Sequence, residues 1–244
     1  MRGFVFNGIK VTNENDVFYI NSSIPATPQR TYFELNVPNR NGSNYFFNKF
    51  EDKEITVTIG IKGINSADIN TKKRNLLQKF IGLKSKLIFL DEPDLYYKAE
   101  IFDTIESKKY GNYMEFILIF KASYCMFGPD KSIALISGVN KVNNAGNFRS
   151  ETLIKITALG NCESITINND INSFTMQSLV AGDEVYIDSE KMIVYKIIDG
   201  VKVSMMTQFT GKFLTIIPGS NNIAVTGTNY SANIELIFND TYIV

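Results

Sequence analysis

Residues 90–106 read LDEPDLYYKAEIFDTIE and set Asp91, Glu92, Asp94 and Glu100 around Pro93. Acid–base catalysis by carboxylates needs two of them held across a cleft, with their pKa values driven apart by burial. A calcium cage needs an ordered loop of oxygen ligands. This stretch offers neither. Pro93 disfavours sheet pairing and, with Asp91 and Asp94, favours a turn, while strand-like sequence lies on both sides. We read an acidic hairpin corner and assign no catalytic residue and no metal ligand. In the strand that follows, alternation puts Tyr97, Ala99 and Ile101 on one face and Tyr96, Lys98, Glu100 and Phe102 on the other.

The rest of the chain is poor in groups that do chemistry. It has no histidine, which removes the usual proton shuttle, the common triads and most zinc sites. Cys125 and Cys162 stand far apart without a metal or redox spacing, so both are expected to be buried free thiols. No cofactor site is expected. Lys plus Arg and Asp plus Glu both number 25 among 244 residues, so no net field draws the chain to nucleic acid or anionic lipid. The opening MRGFVFNGIKVTNENDVF lacks a signal-peptide core, and no apolar run approaches the ~18 residues that span a bilayer. The expectation is a soluble chain made in the cytosol, without membrane insertion or sequence-specific nucleic-acid binding.

Period-2 alternation runs through the first half, in GFVFNG (3–8), DVFYI (16–20), EITVTIGI (54–61), SKLIFL (85–90), YYKAEIFDTI (96–105) and YMEFILIF (113–120). One segment breaks it. In SADINTKKRNLLQKFIG (66–82), Ile69, Leu76, Leu77, Phe80 and Ile81 recur at helical spacing, Ser66 or Asp68 can cap the start and Gly82 can end it. Gly128 and Pro129 mark a break. Beyond it come short strands separated by Asn- and Gly-rich turns, among them TLIKITALGN, ESITINND, DEVYIDSEKMIVYK, GKFLTIIPGSNNIAV and SANIELIFND, a spacing typical of a sandwich or small barrel. DSE (188–190), IIDG (197–200) and PGSNN (218–222) look like hairpin connections. The fold class is mainly β with one amphipathic helix. Its domains are residues 1–136 and 137–244, the last few residues returning to the first.

Taken in order, FVFNG, VPNRNGSNYF (37–46), the helix followed by LIFLDEPDLYYKAEIFD, and YCMFGPDKS resemble the N-terminal domain of siphophage distal tail proteins. NNAGNFRSETLIKITALGN (143–161), LVAGDEVYIDSEKMIVY (179–195) and GKFLTIIPGSNNIAV (211–225) are similar to the galectin-like β-sandwich of that family's C-terminal domain. The resemblance spans nearly the whole chain. No one of these motifs is specific, and the order across two domains carries it.

The resemblance implies a virion structural protein, assembled in the host cytoplasm and placed at the tail tip. Its N-terminal β-rich domain would form a hexameric ring, or two stacked hexamers, with an open channel for DNA. The tail tube protein would join one face and the tail-associated hub protein the other, while the C-terminal domains carry receptor-binding protein. Candidate subunit or partner contacts are the polar loop Arg40, Asn41, Gly42, Asn44 and Tyr45, and the helix lysines Lys72, Lys73 and Lys79. The alternative is a carbohydrate-binding adhesion module. It would stack sugar on Tyr186, Tyr195 or Tyr230, since the chain has no tryptophan.

Overall fold

The computed structural model describes residues 2–13, 15–35, 38, 41–42, 44–82 and 84–243. They divide into two compact units, one running to Phe127 and including Ile243, the other Gly128–Tyr242. The first holds β1 (Gly3–Phe6), β2 (Ile9–Thr12), β3 (Val17–Ser23), β4 (Arg30–Leu35), β5 (Asn44–Phe50), β6 (Lys53–Lys62), α1 (Ser66–Phe80), β7 (Ser85–Phe89), β8 (Tyr97–Tyr110) and β9 (Tyr113–Ala122). Seven of these strands form one antiparallel sheet in the order β2-β1-β7-β8-β9-β6-β3. The edge strands β2 and β3 approach each other, so the sheet curls towards closure.

Alternation in sequence becomes a one-sided core. Met114, Phe116, Leu118 and Phe120 of β9 are buried beside Ile55, Val57, Ile59 and Ile61 of β6. Helix α1 closes over this face with Ile69, Leu76 and Phe80. The Phe80 ring lies 5.4 Å from Phe6 and 6.3 Å from Phe4, and Phe6 lies 5.0 Å from Phe120, in the tilted and edge-on arrangements that aromatic quadrupoles favour. One aromatic cluster thus ties β1, α1 and β9 together.

The cap lies one residue before Ser66, the earlier of the two expected positions. Asn65 is the N-cap, its side chain accepting from the Asp68 N–H at 2.9 Å, while the Asp68 carboxylate accepts from Ile64 N–H at 3.0 Å. Ser66 already has helical geometry, and Asp68 serves as the reciprocal partner rather than the cap. At the other end Ile81 is the C-cap and Gly82 follows with φ +78°, the left-handed position glycine tolerates best.

In β8 the expected alternation holds from Tyr97 to Ile101 and is then interrupted. A bulge at Phe102 shifts the register against β9, and Phe102 is 71% exposed.

The second unit is a two-sheet sandwich built from β10 (Met126–Leu135), β11 (Gly138–Asn144), β12 (Ser150–Ala158), β13 (Cys162–Asn168), β14 (Ser173–Leu179), β15 (Glu184–Asp188), β16 (Ile193–Ile198), β17 (Val201–Ser204), β18 (Phe209–Gly211), β19 (Thr215–Ile216), β20 (Gly219–Thr228) and β21 (Ala232–Tyr242). One sheet runs β10-β21-β12-β15-β16-β17, with β19 also on β12, and the other runs β11-β20-β13-β14-β18. Ile154, Ile156, Ile165, Ile167, Val185, Ile187, Val225 and Leu236 fill the space between them.

Gly128 and Pro129 stand where the two compact units divide, between Phe127 and Gly128, without ending a strand. Both lie within β10, an edge strand where the missing proline N–H costs no ladder bond. PGSNN, by contrast, is not a hairpin: β19 pairs with β12, whereas β20 pairs with β11 and β13, so this turn carries the chain from one sheet to the other.

Removing the cap should weaken the first unit without touching its core. We predict that Asn65→Ala lowers stability by about 1 kcal/mol in a thermal or denaturant melt, and an unchanged midpoint would show that the cap is dispensable.

Candidate functional site

The acidic corner is an exposed turn. Asp91, Glu92 and Asp94 face solvent between β7 and β8, and the turn is held by Glu92 N–H to Phe89 O and Leu95 N–H to Glu92 O, both at 3.1 Å. Glu100 sits away from them on β8, in register with Lys121 of β9. The carboxylates therefore do not converge, and among the described residues no group of three or more Cys, Asp or Glu could hold a metal ion. Burial, with Glu92 nearby, pushes the Tyr97 phenol up to about 12, so it stays protonated.

The helix lysines are largely spent within their own unit. Lys72 reaches Asp16 at 2.8 Å, Asp68 at 2.9 Å and the Lys62 carbonyl at 3.1 Å, and the bonds to Asp16 and Asp68 raise its pKa. Lys73 pairs with Glu106 and lies over the Phe116 ring. Lys79 is exposed in the last turn, where its carbonyl accepts from Asn7 Nδ2. Only Lys79 of the three thus points outward.

The polar loop is the tip of a hairpin. Arg40 lies outside the described residues. Asn41 and Gly42 are exposed at the tip, Gly42 with φ +82°, and Asn44 and Tyr45 begin β5, in register with Leu35 and Glu34 of β4. The hairpin is rooted at its base: Glu51 N–H donates to Gln29 O at 2.8 Å, Thr31 Oγ1 donates to Glu51 Oε1 at 2.8 Å, Arg30 stacks over Phe50, and Phe50 stacks on Tyr124. The bond from Thr31, with Lys49 alongside, lowers the Glu51 pKa. Beyond that base, among the described residues, β4 and β5 have only each other as sheet partners. They expose Tyr32 (50%), Phe33 (46%), Leu35 (52%) and Phe46 (67%). Sequence reading found the loop and missed these apolar flanks, although RTYFEL and NYFFNKF are rich in the aromatic residues that strands favour.

In the sandwich, Tyr186 and Tyr195 stack on each other at 5.2 Å across β15 and β16. Lys155 lies over the Tyr186 ring and Lys202 over Tyr195, at 5.7 and 4.2 Å, and Lys155 also pairs with Glu184 at 3.0 Å. These ring faces are engaged by their neighbours rather than offered to a sugar. Tyr230 packs beside Gly227 with its hydroxyl buried and without a hydrogen-bond partner.

One buried group escaped the sequence reading. Lys53 is 3% exposed, with room made by Ala122 and Ala99 across the sheet, and its ammonium lies 5.7 Å from the Tyr97 ring. No carboxylate pairs with it among the described residues, and burial lowers its pKa. Cys125 and Cys162 are both buried, in different units, and neither takes part in a disulfide among the described residues.

The comparisons follow the same division. Residues 8–122 match the family described as the phage tail protein RIFT-related domain, and residues 145–242 match the siphovirus-type tail component, C-terminal domain. Among solved structures, the Dit protein of phage SPP1, described as a paradigm of the hub adsorption apparatus in phages infecting Gram-positive hosts, shares the fold with a TM-score of 0.76 at 10% identity, over 100% of both chains. Chains of the phage p2 baseplate in its activated conformation, with Ca and with Sr, align at TM-scores of 0.52 and 0.55 and 8% and 9% identity, covering 97% of this chain and 98% of theirs. No curated protein matches in sequence.

The Lys53 environment makes a pH prediction. A base whose folded pKa lies below its ordinary 10.5 holds its proton less tightly in the folded state, so it costs stability while charged and that cost disappears as pH rises towards 10.5. Lys53→Met should therefore stabilise by on the order of 1 kcal/mol at neutral pH. The advantage over wild type should shrink as pH rises towards 10.5 in denaturant melts, and a difference that stays constant from neutral pH to beyond 10.5 would rule the explanation out.

Proposed function

The chain belongs to the siphovirus-type phage tail components, and from that premise we propose that it is the ring-forming distal hub of a tail tip. The observation that carries this is the presence of both family domains in order. A full-length likeness to a hub fold accompanies them. In this reading six copies close a ring, or two rings stack. One face meets the tail tube protein, the other meets the tail-associated hub protein, and the sandwich domains carry receptor-binding protein outside. The protein works by assembly rather than catalysis, at the virion tail tip.

The β4–β5 hairpin is the surface best suited to subunit contact. A two-stranded hairpin is marginal in water, and apolar side chains grouped on one mark an interaction site more often than a solvated face. Asn41, Gly42 and the strand residues Asn44 and Tyr45 then serve as its leading edge, and Lys79 remains a second contact candidate. Heterologous contacts of this kind close into rings when the rotation between copies permits. The adhesion-module alternative finds no support in the tyrosines, whose stacking surfaces are already covered by Lys155 and Lys202.

Leu35→Ser combined with Phe46→Ser tests this surface. Both side chains are exposed, so the variant should keep the wild-type melting temperature while its assembly weakens at least tenfold in sedimentation velocity. Assembly unchanged from wild type would place the subunit contact elsewhere.

A further inference from the structure

We infer that the C-terminal sandwich is built round an internal repeat, and that Asn140 and Asn221 are its equivalent positioning residues, each closing the turn before its strand, with Asn140 also fixing the register of β11 against β20. The segment ISGVNKVNNAGNFRS from Ile136 to Ser150 and the segment IPGSNNIAVTGTNYS from Ile217 to Ser231 align at one constant spacing. The alignment matches Ile136 with Ile217, Gly138 with Gly219, Asn140 with Asn221, Val142 with Ile223, Gly146 with Gly227 and Ser150 with Ser231.

The geometry repeats with the residues. Asn140 Oδ1 accepts from Ile136 N–H at 2.9 Å, and its Nδ2 donates to Ile136 O at 2.8 Å and Gly138 O at 3.2 Å. Asn221 Oδ1 accepts from Ile217 N–H at 3.0 Å, and its Nδ2 donates to Ile217 O at 2.8 Å and Gly219 O at 3.0 Å. Each turn places its glycine in the left-handed region, Gly138 at φ +93° and Gly219 at φ +88°. The later pair matches as well: a Cβ on Gly146 would stand 2.1 Å from Thr241 O, and one on Gly227 would stand 2.4 Å from Ser164 O. Both copies cross between the sheets at the turn, then lay one strand in each sheet. Equivalent strands pair with each other, β11 with β20 and β12 with β21, and the equivalent residues Lys141 and Asn222 face one another. The two copies therefore meet about a local two-fold, with a turn at either end of the β11–β20 pair.

The clamps answer a register problem. β11 is the edge of its sheet and reads GVNKVNN, with Val142 buried and Val139 65% exposed. Burial of alternate apolar residues is what normally forbids a slip, and here it is thin. Asn140 supplies what the pattern lacks, since its amide also donates across the pair to Ile223 O at 3.2 Å. Asn221 is 4% exposed and its polar atoms are bonded inside the turn.

Asn140→Ala and Asn221→Ala in the full chain, read by thermal melting and amide hydrogen exchange, test the assignment. Each should lower the sandwich Tm by roughly 4–8 °C, Asn221→Ala at least as much as Asn140→Ala, and the double variant should lose about the sum because the turns lie at opposite ends of the pair. Exchange of the β11 amides should speed at least tenfold in Asn140→Ala while β15 stays protected. Asn→Ser at either site keeps a hydroxyl that can still donate once and accept, without adding charge, so it should fall between wild type and Ala. It also supplies the reading if an Ala variant fails to fold. An Ala variant with unchanged Tm and exchange, or exchange that speeds evenly across the sandwich, would overturn the register role.

Discussion

A strand presents one N–H and one C=O per residue, to alternate edges along the chain, and a chain made almost wholly of strands has to dispose of its edges. Much of this architecture follows from how that is done. The first unit curls its sheet until β2 and β3 approach each other. β8 is paired with β9 along its length but with β7 only from Tyr97 to Ala99, and two bulges twist its free stretch. In the sandwich, Pro129 blunts β10, β17 is only four residues long, and Asn140 holds β11 in place. The β4–β5 hairpin is the exception, with no third strand among the described residues and a run of exposed apolar side chains. Neighbouring copies in the proposed ring would be a physically sufficient answer to that exception.

The strands of the first unit were legible because half-buried sheets write their inner face into the sequence. YMEFILIF became β9, with every second residue in the core. The helix was legible from its apolar spacing, yet the cap was missed because Asn65 lies outside the periodic segment and its role depends on the reach of Asp68 back to Ile64. Gly128–Pro129 marked the place where the units divide, yet not that a strand runs on through it. Proline punctuates a chain only if its position needs an N–H, and whether β10 is an edge strand is a property of the tertiary fold. The same holds for PGSNN, where a turn between sheets and a hairpin have one composition and differ only in what β19 pairs with. That Tyr32, Leu35 and Phe46 stay uncovered is likewise invisible to any local pattern, since it depends on which strands fail to arrive.

Charge tells a consistent story. The molecule carries 25 basic and 25 acidic residues, and several of its lysines are engaged at home. Lys72 and Lys73 hold the helix to its sheet, Lys155 and Lys202 flank stacked tyrosines, and Lys131 reaches the buried Asp240 at 2.6 Å. Basic residues tied up in this way leave less free cation to bind phosphate, which is what the proposed ring would need if DNA passes through it. The groups that looked most like chemistry in the sequence, the acids around Pro93, are the ones left facing solvent on a turn.

The central claim is that this chain closes into a ring, and the most direct measurement is the solution mass of the purified protein by light scattering across a concentration series, with negative-stain images of the largest species. The account predicts a mass of six or twelve subunits and an annulus with an open centre. A protein that stays monomeric at every concentration, or that assembles into particles without a central opening, would contradict it.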